Sequence, residues 1–364
     1  MDFEIELTRE AALAALELPR SIAAGKSAMP ALTCVLLTQD GPSRLKLQAS
    51  DLLRTATVVT NASFKGSGSL LLSGKALSDA IAALPPGIFT LKSNSKTLAC
   101  TLQSGRRKFS VSGLPAEDFP TLAVPEGEPK TFKAKLLLKA IDTVAPAASD
   151  DDTRPHLAAI KLEHVEGKFH AIATDGHRLH AHETELEGGG LDVLIPQSIV
   201  PQLRSMLVSA DKDAEVTFLA TQTEVVFRIG STTVSGRKVE AKFPTWREVI
   251  PKHLDRKAHV NRSSLLAELR SLAKATSGSK GVSLTVSPGK IALSCSDAET
   301  GATSETELDA DTSVSLKIGF NVTYLAEAAH ACDGDTLVLR FDGELDPLLV
   351  ECQGTRVVLM PMRI

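Results

Sequence analysis

The stretch Leu47–Leu53, LQASDLL, reads as the end of a strand running into a turn, and the chain returns to it twice, at Ala171–His177 (AIATDGH) and Ala292–Ala298 (ALSCSDA). Their aspartates are spaced 175 − 51 = 124 and 297 − 175 = 122 residues. A second landmark, a strand followed by a helical run, begins at Ser69 (SLLLSGKALSDAIAAL), Leu191 (LDVLIPQSIVPQLRSML) and Ser313 (SVSLKIGFNVTYLAEAA), at steps of 122. A third comprises SGRRKFSVSGLP, GSTTVSGRKVEAKFP and GTRVVLMPMRI, whose Gly105, Gly230 and Gly354 lie 125 and 124 apart. A solenoid unit is much shorter and leans on its neighbours. A period near 123 is the size of a whole small domain. The 364 residues therefore hold three tandem copies of one domain, expected at 1–123, 129–251 and 254–364. Val124–Thr131 and Pro251–Lys257 are the candidate linkers.

Each copy reads the same way inside. Asp2–Leu7 alternates apolar and polar residues, the pattern of a half-buried strand. Thr8 is placed to cap a following helix, with Glu10 in its first turn and Pro19 as its expected end. Alternating strands follow, then a helix from Gly74 that stops at Pro85-Pro86-Gly87, then three hairpin strands. The predicted order is β-α-β-β-β-β-α-β-β-β, an α+β arrangement of two helices on antiparallel sheets. Strand, helix, strands occurs twice per copy, which points to an older half-repeat.

Composition narrows the function. Hydrophobic residues are 43% and charged residues 23%, which excludes wholesale disorder. The net charge is −4, so any nucleic-acid contact must come from a local basic surface. Twelve Phe, one Trp and one Tyr leave few rings for stacking single-stranded bases. Five cysteines without a CxxC pair argue against a disulfide framework or a thiolate zinc site and fit a reducing cytoplasm. No apolar run reaches 18 residues, so no membrane span is expected.

Catalytic motifs are weak. Ala23–Ser27 (AAGKS) resembles the end of a phosphate-binding loop, but Arg20 stands where that loop needs its first glycine. His177, His180 and His182 suggest metal ligands of a hydrolase; a solvated face formed by Arg178, His180 and His182 is the simpler reading. Asp175-Gly176 has turn chemistry. Asp150–Asp152 reads as a solvated acidic loop. No catalytic constellation, cofactor site or metal site is expected. Basic residues, by contrast, gather on helix-bearing segments, among them Arg20, Lys26, Lys75, Lys139 and Arg204, while acids concentrate elsewhere.

Five ordered stretches, Ser104–Leu122, Ala173–Leu179, Phe243–Pro251, Gly319–Leu325 and Met360–Ile364, resemble the bacterial beta sliding clamps, the beta subunits of DNA polymerase III. The resemblance runs the length of the chain. It implies a head-to-tail homodimer whose six domains form a ring around duplex DNA, lined by basic helices that include Arg20, Lys26, Lys75, Lys139 and Arg204. It implies a dimer contact at Phe109 and Val111 on one edge and at Leu272 and Ala273, within Leu272–Ser277, on the other. It also implies a pocket between the second and third domains that takes short apolar peptides of polymerases and the clamp loader. The matching positions are Arg154, Leu157, Thr174, Gly176, His177, Arg178, Leu179, Pro244, Val249, Asn321, Tyr324, Val358, Leu359, Met360, Pro361, Met362 and Arg363. Met360 and Met362 suit pliable walls, and Arg178 and Arg363 would meet polar peptide groups. The chain departs from the family pattern at Glu248, Ser279, Gln197 and Ser198. The role implied is a non-catalytic cytoplasmic processivity factor; the alternative is a divergent paralogue, monomeric or serving repair polymerases.

Overall fold

The computed structural model describes residues 3–23, 25–94, 96–122, 126–186, 189–275, 280–297 and 300–363. Ser279, the end of Leu272–Ser277, part of the first linker and Ile364 lie outside the described residues.

The first copy runs β1 (Glu4–Thr8), α1 (Arg9–Ile22), β2 (Cys34–Gln39), β3 (Arg44–Ser50), β4 (Arg54–Asn61), β5 (Ser63–Lys65), β6 (Ser69–Ser73), α2 (Gly74–Ala82), β7 (Ile88–Asn94), β8 (Ala99–Ser104) and β9 (Arg107–Leu114). The second runs β10 (Lys130–Lys133), α3 (Ala134–Val144), β11 (Ala159–Val165), β12 (Lys168–Thr174), β13 (Arg178–Thr184), β14 (Asp192–Pro196), α4 (Val200–Val208), β15 (Glu215–Ala220), β16 (Glu224–Ile229) and β17 (Thr232–Arg237). A single turn, α5 (Trp246–Val249), precedes the third: β18 (Arg256–Asn261), α6 (Arg262–Ala275), β19 (Gly281–Ser287), β20 (Lys290–Ser296), β21 (Thr303–Asp311), β22 (Leu316–Asn321), α7 (Val322–Ala331), β23 (Thr336–Phe341), β24 (Leu348–Cys352) and β25 (Thr355–Leu359). The second and third copies follow the predicted order. The first has one more short strand, because its fourth strand breaks at Ala62.

Local chemistry accounts for these elements. Thr8 Oγ1 accepts from Ala11 N at 3.2 Å and starts α1; Ser73 Oγ does the same for Ala76 N at the start of α2. Asn321 Oδ1 accepts from Thr323 N and Tyr324 N and starts α7. The landmark aspartates close three turns. Asp51 Oδ1 takes Leu53 N and Arg54 N, Asp175 Oδ1 takes His177 N and Arg178 N, and Asp297 Oδ1 takes Thr300 N. Pro19 does not end α1, which continues to Ile22. Proline forfeits its own N–H, but its carbonyl still accepts from Ala23 N, and burying Leu18 and Ile22 holds the last turn.

Every copy is two antiparallel sheets with an exchanged strand. In the first, β6 completes the sheet of β2, β3 and β4, whereas β1 completes the sheet of β7, β8 and β9. In the third, β22 joins β19–β21 and β18 joins β23–β25. The half-repeat is thus a β-α-β-β-β motif that lends its first strand to its twin. Contacts divide the chain into two compact units, Met1–Lys135 with Ser198–Lys238, and Leu136–Gln197 with Val239–Ile364. The middle copy is shared between them. In the first unit β17 pairs with β4 of the first copy; in the second, β25 of the third copy pairs with β13.

The third copy shows how a core is made. Leu265, Leu269 and Leu272 of α6 and Leu325 and Ala328 of α7 pack on Val282, Leu284, Ile291, Leu293, Leu337 and Phe341. Each buried Leu or Phe contributes about 1.5–3 kcal/mol.

In the first copy β9 passes from one sheet to the other at Gly113, whose N–H bonds Leu98 O. A Cβ there would stand 2.5 Å from Leu98 O and 2.9 Å from Leu71 O, both backbone atoms that cannot yield cheaply. Gly113→Ala is expected to destabilise this unit by about 1–3 kcal/mol in urea unfolding, the usual cost of overpacking.

Candidate functional site

The second unit carries a cavity of about 570 Å³ lined by Ala145, Pro146, Ala148, Ser149, Asp150, Asp151, Arg154, Asp175, His177, Arg178, Gln197, Tyr324 and Glu327. Arg178 organises it. The Asp175 turn delivers Arg178 to the first position of β13, with Gly176 at φ +91°. Its side chain is 9% exposed. Nε donates to Asp175 Oδ2 at 3.0 Å, and the two terminal nitrogens donate to Glu327 and to the carbonyl of Pro146. The guanidinium carbon lies 3.9 Å from the centroid of Tyr324. Burial, with the Asp175 carboxylate nearby, raises the pKa of the Tyr324 hydroxyl. One side chain therefore ties the turn after α3, the β12–β13 turn and α7 together.

Of the expected pocket residues, Arg154, His177, Arg178 and Tyr324 line this cavity. Arg178 does not reach outward as expected, because its nitrogens are held by the chain's own acceptors. Arg363 is exposed. Leu157, Thr174, Leu179, Val358 and Leu359 are buried. Thr174 Oγ1 donates to Arg178 O at 2.6 Å and closes the same turn. Pro244 and Pro361 are half-buried, and Asn321 serves as the cap of α7. Val249, Met360 and Met362 are exposed by 43%, 45% and 39%. Met360 N bonds His177 O and Met362 N bonds Gly319 O, so the terminal segment is laid beside the turn that bears Arg178. Sequence reasoning missed Glu327 and Pro146. Glu327 stands three residues after Tyr324 on α7, a helical spacing that shares a face.

The histidines do not form a solvated face. Arg178, His180 and His182 are buried, at 9%, 0% and 7% exposure, because β13 is an interior strand covered on both sides. Leu179 and Ala181 pack on Phe243 and Trp246. On the other face His180 Nδ1 donates to Thr143 O at 2.8 Å, and His182 Nδ1 sits 2.8 Å from Thr355 Oγ1. Among the described residues no group of three His, Cys, Asp or Glu is placed to hold a metal ion.

A second feature lies in the first unit. Arg20 near the end of α1, Lys26 just after it, Lys75 at the start of α2 and Arg204 on α4 are all exposed. The helices adjoin: a Cβ on Gly74 would lie 3.7 Å from Arg20 Cγ, and Gln202 Nε2 donates to Ser21 Oγ at 3.3 Å. In the second unit Lys139 pairs with Asp333 at 2.8 Å. Of the four residues expected at a dimer contact, Val111 and Leu272 turn inward, at 6% and 1% exposure, because each is a core position of its own copy. Phe109 and Ala273 are half-buried.

Three tandem copies of one two-sheet, two-helix domain, joined edge to edge, with cations on helices and a groove at the second junction, define the clamp class of protein. Family models match all three copies as the N-terminal (1–123), central (131–245) and C-terminal (247–363) domains of the DNA polymerase III beta subunit. The chain belongs to that family, the DNA sliding clamps of bacterial replication. The beta sliding clamp of Caulobacter vibrioides is 28% identical over 99% of this chain and 100% of its own length. That of Synechococcus elongatus is 27% identical over 92% of each. The sliding clamp of Bartonella birtlesii, solved bound to griselimycin, superposes with a TM-score of 0.93 at 27% identity over 100% of both chains. No described helix is long and apolar enough to cross a membrane.

Burial pushes the His180 pKa down to about 4 from 6.5. Between those values the unfolded chain holds a proton that the folded chain lacks, so the folded state loses stability as pH falls from about 6.5 to about 4, by about 3 kcal/mol. His180→Gln keeps a donor for Thr143 O without titrating. Urea unfolding followed at Trp246, the single tryptophan, is expected to show a flatter acid limb in the variant than in the parent.

Proposed function

We propose that two chains close head to tail into a ring around duplex DNA, and that the groove beside Arg178 holds short apolar peptides of polymerase and clamp-loader subunits. The ring carries no catalytic residue; it keeps a polymerase on its template by topology. The observation that carries the dimer is the repeated junction. Within the chain, Thr55 of β4 faces Ser235 of β17, and Leu179 of β13 faces Val358 of β25. In both cases the outer strand follows the aspartate turn, and its partner is the last strand of the next copy. Two equivalent edges remain. Among the described residues, β21 from Thr303 to Asp309 pairs only with β20, and β9 from Arg107 to Ser112 pairs only with β8.

Pairing β9 of one chain with β21 of another in the same register sets Ser110 opposite Thr303, Phe109 opposite Ser304 and Lys108 opposite Glu305. Charge favours the match, since β9 and its turn carry Arg106, Arg107 and Lys108 while β21 carries Glu305, Glu307 and Asp309. Contacts that run head to tail and close give a cyclic dimer with no free edge. Lys108→Glu places like charges across both junctions of the ring and, at about 1 kcal/mol per pair, is expected to weaken association about 10- to 30-fold in sedimentation. Adding Glu305→Lys is expected to restore the dimer; a double variant as weak as the single one argues against this register.

Arg20, Lys26, Lys75 and Arg204 of the first unit and Lys139 of the second are the proposed DNA-facing cations, although Asp333 shares the charge of Lys139. Such contacts are sequence-independent, weaken with salt and permit sliding. Val249, Met360 and Met362 supply adaptable apolar walls for peptides. Chains loaded on a closed DNA circle are expected to stay bound through a high-salt wash and to leave when the circle is cut. Retention on the linear product would rule out a topological hold.

A further inference from the structure

The charges of the groove are unbalanced, and the imbalance selects a ligand. Four carboxylates, Asp150, Asp151, Asp175 and Glu327, line the cavity with only two guanidiniums, Arg154 and Arg178. Both guanidiniums meet acceptors of the cavity itself, Arg178 through all three nitrogens and Arg154 through Nε alone. Arg154 Nε meets Asp151 Oδ2 at 2.8 Å. Arg178 is held by Asp175, Glu327 and the Pro146 carbonyl, and at 9% exposure it is not free to swing toward a ligand. Asp150 is exposed and has no ion-pair partner among the described residues. Gln197 adds a buried Oε1 without a hydrogen-bond partner among the described residues. The cavity therefore presents an excess of carboxylate charge, four acids against two guanidiniums, with Asp150 unpaired among the described residues.

We infer that the groove selects peptides that place a lysine or arginine beside their apolar anchors. This rests on the reading of the groove as a peptide site. The apolar walls take the anchors, and the Asp150 side takes the cation. The guanidinium or ammonium donates to carboxylate oxygens. An acidic residue at the same place meets the like charge of Asp150 and of the surplus carboxylates, which acts against the wrong partner as well as for the right one.

The test uses the full chain and three labelled synthetic decapeptides. They share one core of leucine and phenylalanine and differ at a single flanking position: Lys, Gln or Glu. At about 50 mM salt the Lys peptide is expected to bind about 2- to 10-fold tighter than the Gln peptide, and the Glu peptide weaker than both. The spread is expected to shrink at about 0.5 M salt, where the Debye length falls to a few ångströms, and to narrow in Asp150→Asn. Equal affinities, or tightest binding of the Glu peptide, would overturn the inference while leaving the groove a peptide site. Binding of none of the three would overturn both.

Discussion

A strand edge exposes unpaired N–H and C=O groups that must be satisfied, and in this chain the next copy of the domain satisfies them. The edge of β4 is paired by β17 and that of β13 by β25. Everything else depends on this constraint. The pairing makes the sheets continuous across copies, 13 strands in one unit and 12 in the other. It also explains why the compact units do not coincide with the sequence repeats. The two sheets of the middle copy each belong more firmly to a neighbour than to each other. An architecture that ends on two complementary edges is either prone to uncontrolled association or built to close on a second copy.

At the second junction the pairing is reinforced by charge. Arg178 opens the strand that β25 pairs, and its guanidinium meets Asp175, Glu327 and Pro146 O from three different segments. A buried cation needs paired charge and hydrogen-bond acceptors, and here each of the three guanidinium nitrogens has one. The same contacts line the cavity, so one side chain both braces the junction and shapes the surface beside it. The first junction has a matching pair, Arg54 and Asp51, 2.7 Å apart, but there the arginine is more exposed and reaches Ser198 O, with no counterpart of Glu327 among the described residues. The repeat has kept the turn and specialised the surface.

Much of this was written in residue spacing. The aspartate turns, the capping residues Thr8, Ser73 and Asn321, and the alternating strands are local, and local chemistry decides them within a few residues. Their recurrence near 123 residues showed three copies without any structure. Pro19 misled because tertiary burial of Leu18 and Ile22 outweighs the loss of one N–H bond. Arg178, His180 and His182 misled because alternation shows that a strand has two faces but not whether both are covered. Val111 and Leu272, placed at the dimer contact by family resemblance, have side chains that turn into their own copies, which only packing shows.

The sequence alone determined the number of copies, the order of elements within each and the membership of the family, because these rest on periodicity, capping and motif order along the chain. Tertiary structure decided which strand edges are paired and which are left, that Arg178 is a structural tie rather than a free hand, and that the groove keeps excess negative charge. These depend on residues that are distant in sequence: Arg178 and Glu327 are 149 positions apart, and no pattern along the chain reports that they meet.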